Sequence, residues 1–365
     1  MLLTPGPTAV PEFVRTAMSG ETLHHRTPEF ENIFKNTREL LLEMLDMPEV
    51  VMLASSGTGA MEACVTNLTH KKALTINSGK FGERFGKIAQ AHNIPFVELK
   101  YEWNTPASVE DVVEVLSNDD DIDAIFIQIC ESAGGLRHPV EKIAEAVKNI
   151  NKDIMIIADG ITAVGVEKID TANIDALITG SQKALMLPPG LAMIGFSTVA
   201  VKKIEAKSYG YYFNLVTEIK KQRENTTAWT AATTLIIGLG AILEKLKEDG
   251  FDKLYEKTSL RAKATREALL AIGLEVYPAT PADAMTTIYS EKSNEIRKIL
   301  KEEFDLNIAG GQDHLKGKIF RINHMGLVAD YEAVWAVNTI EKALDKLGIR
   351  DFDGTANKIF MEINS

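Results

Sequence analysis

Short apolar runs recur along the first half of the chain with amphipathic stretches between them, at 50–54 (Val-Val-Met-Leu-Ala), 73–77, 95–99, 124–130 (Ala-Ile-Phe-Ile-Gln-Ile-Cys), 154–159 and 175–179. β-branched and aromatic runs of this length, alternating with helical segments, predict βαβ units and a mostly parallel sheet. The runs are nearly all apolar rather than alternating, as expected where helices cover both faces of a sheet, and Leu191–Thr198 adds a seventh strand. After Gly250 the texture changes to charged amphipathic helices at 251–271 and 291–303, separated by strand-like runs at Thr286–Tyr289 and Lys318–Ile322. The expected division is an N-terminal segment (1–15), a large α/β domain (16–250) and a smaller C-terminal α+β domain (251–365).

Composition narrows the function classes. With 40 basic and 51 acidic residues the net charge is −11, which argues against nucleic acid as a partner. The most apolar long stretch, Ala228–Leu243, contains five threonine or glycine residues. It is shorter than the roughly 20 residues needed to cross a bilayer and reads as a buried helix, so no membrane association is expected. The start, Met1-Leu-Leu-Thr-Pro-Gly-Pro, lacks the basic region of a signal peptide. Cys64 and Cys130 have no metal-type spacing, so free thiols in a reducing cytoplasm are expected. The acidic run at 118–123 reads as a solvated turn.

In open sheets of this kind ligands collect beyond the carboxyl ends of the strands, and three strand ends carry chemistry. The first runs into Ser55-Ser-Gly-Thr-Gly-Ala, small residues opening a helix. Exposed N–H groups there, with Gly57 and Gly59 allowing close approach, suit a phosphomonoester. It lacks the third glycine of a dinucleotide turn and the Gly-Lys-Ser/Thr of a nucleotide loop. The strand at 154–159 ends in Asp159, where a buried carboxylate calls for a cationic partner such as a protonated pyridine nitrogen. The next strand ends at Gly180-Ser-Gln-Lys183, followed by the apolar Ala-Leu-Met-Leu-Pro-Pro-Gly. A lysine in such surroundings loses basicity by desolvation and becomes nucleophilic, which favours Schiff-base chemistry. Each feature alone has a plain structural reading: a helix cap, a capping aspartate, a snorkelling lysine. In this order at successive strand ends they describe one bound pyridoxal phosphate.

The chain resembles the class V aminotransferases, particularly the alanine/serine-glyoxylate (serine-pyruvate) branch, and the resemblance implies a fold-type I pyridoxal-phosphate-dependent transferase. It rests on Thr4-Pro-Gly-Pro-Thr, His24-His-Arg-Thr-Pro-Glu-Phe, Ser55-Ser-Gly-Thr-Gly-Ala-Met-Glu, Gly79-Lys-Phe-Gly-Glu-Arg, Glu131-Ser, Ala158-Asp-Gly, Gly180-Ser-Gln-Lys-Ala and Phe320-Arg-Ile-Asn-His-Met-Gly. It implies that Lys183 carries the cofactor, that Asp159 pairs with the pyridine nitrogen, and that Ser56, Gly57, Thr58, Gly59 and Gln182 hold the phosphate. Phe81 is expected to stack on the ring, Ser132 to approach its phenolic oxygen, and Ile161 to join the cofactor site. Thr227 and Thr230 match positions that reach the neighbouring subunit's phosphate in a homodimer. Arg321 is expected to grip the substrate carboxylate, a task that suits a planar guanidinium, with Gly6 lining the same pocket. Asn323 stands where many relatives have glycine and Thr227 where some have tyrosine, which bears on pocket shape.

No metal is expected: His24 and His25 are adjacent and point apart, with no further ligand cluster. His314 and His324 read as structural or pocket-lining. The expected reaction is amino transfer from alanine or serine to glyoxylate or pyruvate by a ping-pong route. The alternatives are transamination of aspartate or an aminophosphonate, desulfuration, and a non-catalytic subunit of the kind labelled soluble hydrogenase subunit. Desulfuration is disfavoured because Cys64 falls in a helix and Cys130 at a strand end; an incomplete glycine turn disfavours a dehydrogenase.

Overall fold

Side chains alternate across a strand, so a run that is apolar at every position must bury both faces. That is what the apolar runs do in a computed structural model of the chain, which describes residues 1–364. The strands are β1 (Glu49–Leu53), β2 (Lys72–Asn77), β3 (Phe96–Lys100), β4 (Ile122–Gln128), the two-residue pair β5 (Cys130–Glu131) and β6 (Leu136–Arg137), β7 (Met155–Asp159), β8 (Ala176–Gly180) and β9 (Ala192–Phe196). Ile125, Ile127, Ile156 and Ala158 enter one core with the helices Pro28–Leu45 and Thr233–Asp249. Their neighbours Ala124, Phe126, Met155 and Ile157 enter another with the helix Gly57–Leu68.

The large sheet has seven strands in the order β1-β9-β8-β7-β4-β2-β3. It is mostly parallel; only β9 runs against its neighbours, pairing antiparallel with both β1 and β8. The carboxyl ends of β1, β2, β4, β7 and β8 therefore open on one edge, and every expected cofactor ligand from the first half of the chain follows one of them.

A second, four-stranded antiparallel sheet is built from β10 (Glu275–Val276), β11 (Met285–Tyr289), β12 (Ala309–Gly310) and β13 (Ile319–Asn323), in the order β10-β11-β13-β12. The helices Phe251–Ala271, Ser293–Phe304, Asp330–Lys346 and Thr355–Asn364 supply the core that packs on it. The N-terminal segment ties the two sheets together. Leu3 N–H donates to the Asn307 carbonyl at 2.9 Å and its own carbonyl accepts from Asn323 N–H at 2.9 Å. Five residues on, Thr8 donates through its backbone to the Gln182 carbonyl at 3.1 Å and through its hydroxyl to the Lys183 carbonyl at 2.7 Å.

Two local expectations differ from the structure. The apolar stretch 228–243, expected as a buried helix beginning at 231, is helical only from Thr233, and Thr227 Oγ1 donates to the Trp229 carbonyl in the segment before it. The acidic run is not wholly solvated. Asp123 accepts from the N–H groups of His70, Lys71 and Lys72 and pairs with Lys203 at 2.9 Å, so it pins the start of β2.

The outer edge of β1 is closed by a side chain. Gln222, fully buried, accepts from Met52 N–H at 2.8 Å and donates to the Met52 carbonyl at 2.8 Å, pairing with the strand as another strand would. Gln222→Ala leaves both groups of Met52 and the nearby Glu218 carboxylate short of a partner. The expected cost is about 2–4 kcal/mol, read as a lower denaturant midpoint with unchanged slope.

Candidate active site

The turn after β1 is the first wall of a cavity of about 310 Å³, a volume in the range of small-molecule sites. Ser56 precedes the helix Gly57–Leu68, and Ser56, Gly57 and Thr58 all line the space. At Gly57 the helix start meets the Ile161 side chain: a Cβ there would lie 2.4 Å from Ile161 Cδ1, so that side chain would have to move. Gly59 is not on the wall. Its missing side chain makes room for Ser55 and Phe213 instead, so its part in the cradle is to let the turn fold.

Asp159 ends β7 and is 5% exposed. One carboxylate oxygen accepts from Ile161 N–H at 3.0 Å, and no basic side chain pairs with it among the described residues. Burial pushes its pKa up to about 6; the Ile161 N–H, Lys183, Arg84 and Gln128 pull in the other direction. Such a group is short of a cation.

Lys183 follows β8 by three residues and turns into the same cavity beside Gln182. Its Nζ donates to the Pro5 carbonyl, and Gly6, at φ +109°, leaves no room for a side chain, since a Cβ would lie 2.6 Å from that nitrogen. Burial lowers the amine to about pKa 8. A fraction is therefore neutral and nucleophilic near neutrality.

Phe81, Ser132 and Ile161 complete the wall. The first two are held by Glu131, a fully buried carboxylate. It accepts from the N–H groups of Phe81 (3.0 Å), Gly82 (2.8 Å) and Ala133 (2.9 Å), binding the turn after β2 to the turn after β5. Burial pushes this carboxyl up to about pKa 7 in spite of the three donors. Arg321, on β13, reaches in from the other sheet. Its guanidinium donates to the Ser132 carbonyl at 2.6 Å and to the Gly310 carbonyl at 2.7 Å, and burial lowers its pKa to about 10. No carboxylate pairs with it among the described residues.

Thr227 and Thr230 stand apart. They line a separate depression with Ala54, Tyr212 and Trp229, next to the phosphate turn but not in the cavity. Cys130 is on the cavity wall, and burial raises its pKa, which keeps the thiol protonated and unreactive. No group of His, Cys, Asp and Glu among the described residues could hold a metal.

Two contributions were not assigned from sequence. Glu131 was visible only as part of a motif, and its three N–H partners could not be. Arg84, on the cavity wall, donates to Thr58 Oγ1 at 2.8 Å and lies 4.8 Å over the Phe81 ring. Its position three residues after Phe81, on a helix from Gly82 to Ala91, was the available signal.

The model of the aminotransferase class V family matches residues 7–315. The chain belongs to the class V aminotransferases. As a class V aminotransferase it is 49% identical over 363 residues to an uncharacterized aminotransferase of Helicobacter pylori, covering 99% of this chain and 98% of the relative. It is 28% identical to a serine–glyoxylate aminotransferase of Methylorubrum extorquens, covering 97% and 93%. The crystal structure of a subgroup IV aspartate aminotransferase from Thermus thermophilus matches with a TM-score of 0.87 at 29% identity, over 99% of both chains. The enzyme is thus a fold-type I transaminase, and the family implies pyridoxal phosphate. Its residues fit that group: an unpaired buried carboxylate for a ring cation, a nucleophilic lysine, and a glycine-bearing turn for a phosphate. Gly6 and Arg321 lie outside the span matched by the family.

Asp159 has a measurable cost in the cofactor-free enzyme. Its folded pKa is raised, so the cost is absent below about pH 4 and complete above about pH 6. Cofactor-free Asp159→Asn is expected to exceed the parent in stability by about 2–3 kcal/mol at pH 8, the difference vanishing near pH 4. Denaturant titrations at the two pH values check this; a pH-independent difference contradicts it.

Proposed function

We propose that this aminotransferase moves the amino group of a small L-amino acid, alanine or serine, to glyoxylate or pyruvate, with pyridoxal phosphate bound at Lys183. The observation that carries the reading is the convergence of Lys183, Asp159 and the Ser56–Thr58 turn on one cavity; Arg321, off its wall, is bonded from the second sheet to the carbonyl of the wall residue Ser132.

When bound, the cofactor supplies an electron sink for the bond broken at the donor's Cα. The chain's own residues do the rest. Asp159 balances the proton on the pyridine nitrogen. Phe81 and Ile161 set the ring plane, and Ser132 fixes the phenolic oxygen. Ser56, Gly57, Thr58 and Gln182 hold the phosphate, with Gly59 shaping the turn. Lys183 Nζ, as a neutral amine, would accept the proton released at the donor's Cα, hold it as an ammonium and give it back to the reacting group within the same half-reaction. Arg321 holds the substrate carboxylate with N–H groups that now rest on the Ser132 and Gly310 carbonyls, and the backbone at Gly6 bounds the small space left for a side chain. A second half-reaction with the oxo acid restores the starting state, giving ping-pong kinetics.

The active unit is a homodimer in this reading, with Thr227 and Thr230 of each subunit completing the neighbour's phosphate site. Their depression adjoins an exposed aromatic surface, where Tyr211 is 78% and Tyr212 46% exposed and both pack near Trp229, as a subunit contact requires. No described helix is long and apolar enough to cross a membrane. The free, buried Cys64 and Cys130 accord with a cytoplasmic enzyme.

Purified enzyme should absorb in the visible, lose that band on borohydride treatment and yield a labelled peptide at Lys183; a colourless protein or an adduct elsewhere removes the reading. In a panel of donors and oxo acids, alanine or serine with glyoxylate or pyruvate should turn over fastest, whereas preference for aspartate reassigns the substrate class. Arg321→Ala is expected to raise KM for every amino acid by roughly 10–100-fold; an unchanged KM contradicts its role.

A further inference from the structure

The helix N-terminus at Gly57 offers about half a positive charge to a phosphate that carries nearly two negative ones. The turn itself, Ser56-Gly-Thr, is uncharged. Lys183 is committed to the cofactor's aldehyde carbon. Arg321 approaches by way of Ser132 and Gly310, away from the turn. The other cation on the cavity wall is Arg84.

Three observations set Arg84 apart from a surface arginine. Its guanidinium donates to Thr58 Oγ1 at 2.8 Å, so it touches the phosphate turn directly. It lies 4.8 Å over the ring of Phe81, which holds its plane. It pairs with no carboxylate among the described residues, although Lys80 and Lys87, within four residues of it in sequence, both do. The field of Arg84 reaches the Asp159 carboxylate, but no anion is in contact with the partly buried guanidinium, which leaves N–H groups free to take one. We infer that Arg84 is the counter-charge of the cofactor's phosphate, a role that rests on the cofactor assignment above and deepens it.

The geometry also orients Thr58. A hydroxyl whose lone pair is occupied by an arginine N–H turns its own hydrogen away from that arginine, leaving it free to donate to an oxyanion. Arg84 would thus act twice, through its remaining N–H groups, which suit phosphate geometry, and through the direction it imposes on Thr58. The ring of Phe81 connects the two ends of the site, since the residue expected to stack on the cofactor also steadies the charge at its phosphate.

The test separates phosphate recognition from general damage by using two aldehydes that differ only in the phosphate. Cofactor-free enzyme, Arg84→Ala and Arg84→Gln are titrated with pyridoxal phosphate and with pyridoxal, following absorbance. Both variants should bind pyridoxal phosphate roughly 10–100-fold more weakly, the range of one charge-assisted contact, and pyridoxal as the parent does. Inorganic phosphate should slow capture of pyridoxal phosphate by the parent and much less by the variants. Arg84→Gln keeps a donor without the charge, so it answers the question if Arg84→Ala does not fold. Equal weakening for both aldehydes, or no weakening, overturns the inference. If the parent captures neither aldehyde at Lys183, it is the cofactor assignment that fails instead.

Discussion

A carboxylate held out of water with no cation in contact is the constraint on which this structure turns. Asp159 reaches that state because β7 lies in the middle of a sheet covered on both faces, so that the residue ending it is enclosed. The same enclosure strips hydration from Lys183, three residues past the end of the next strand, and makes its amine less basic. The two shifts have one cause and opposite senses, and each is partly relieved by the charge of the other. A ligand that brings a cation to Asp159 and takes up the amine of Lys183 satisfies both at once.

Glu131 carries this logic outward. Its three backbone donors come from the turns that bear Phe81 and Ser132, and the Ser132 carbonyl in turn meets Arg321. Phe81, proposed to stack on the cofactor ring, and Arg321, proposed to bind the substrate, are therefore linked through one buried carboxylate and two peptide units.

The seven-stranded sheet could be read from the sequence because doubly buried strands leave continuous apolar runs, and the site because its main residues sit at the ends of those runs. Asp159 and Lys183 needed no tertiary information beyond strand order. What could not be read were contacts made across long sequence distance. Arg84 meeting Thr58, Gln222 closing the edge of β1 and Asp123 pinning β2 all join polar residues that carry no periodic signal. The two-residue strands β5, β6, β10 and β12 were equally invisible, being too short for a pattern and held by partners distant in sequence. Thr227 and Thr230 were grouped with the phosphate ligands by resemblance, and one subunit alone does not bring them there.

The N-terminal segment has a consequence for the order in which the enzyme can be made. Leu3 is held between Asn307 and Asn323, and Pro5 and Thr8 are held by Lys183. A ribosome synthesises residues 3–8 long before 307–323, so during translation the segment has its anchor at Lys183 long before its anchor on the second sheet. The segment's bonds to the second sheet can form only once residue 323 has been made. The bridge between the two sheets at the N-terminus is thus among the last parts of the fold to close.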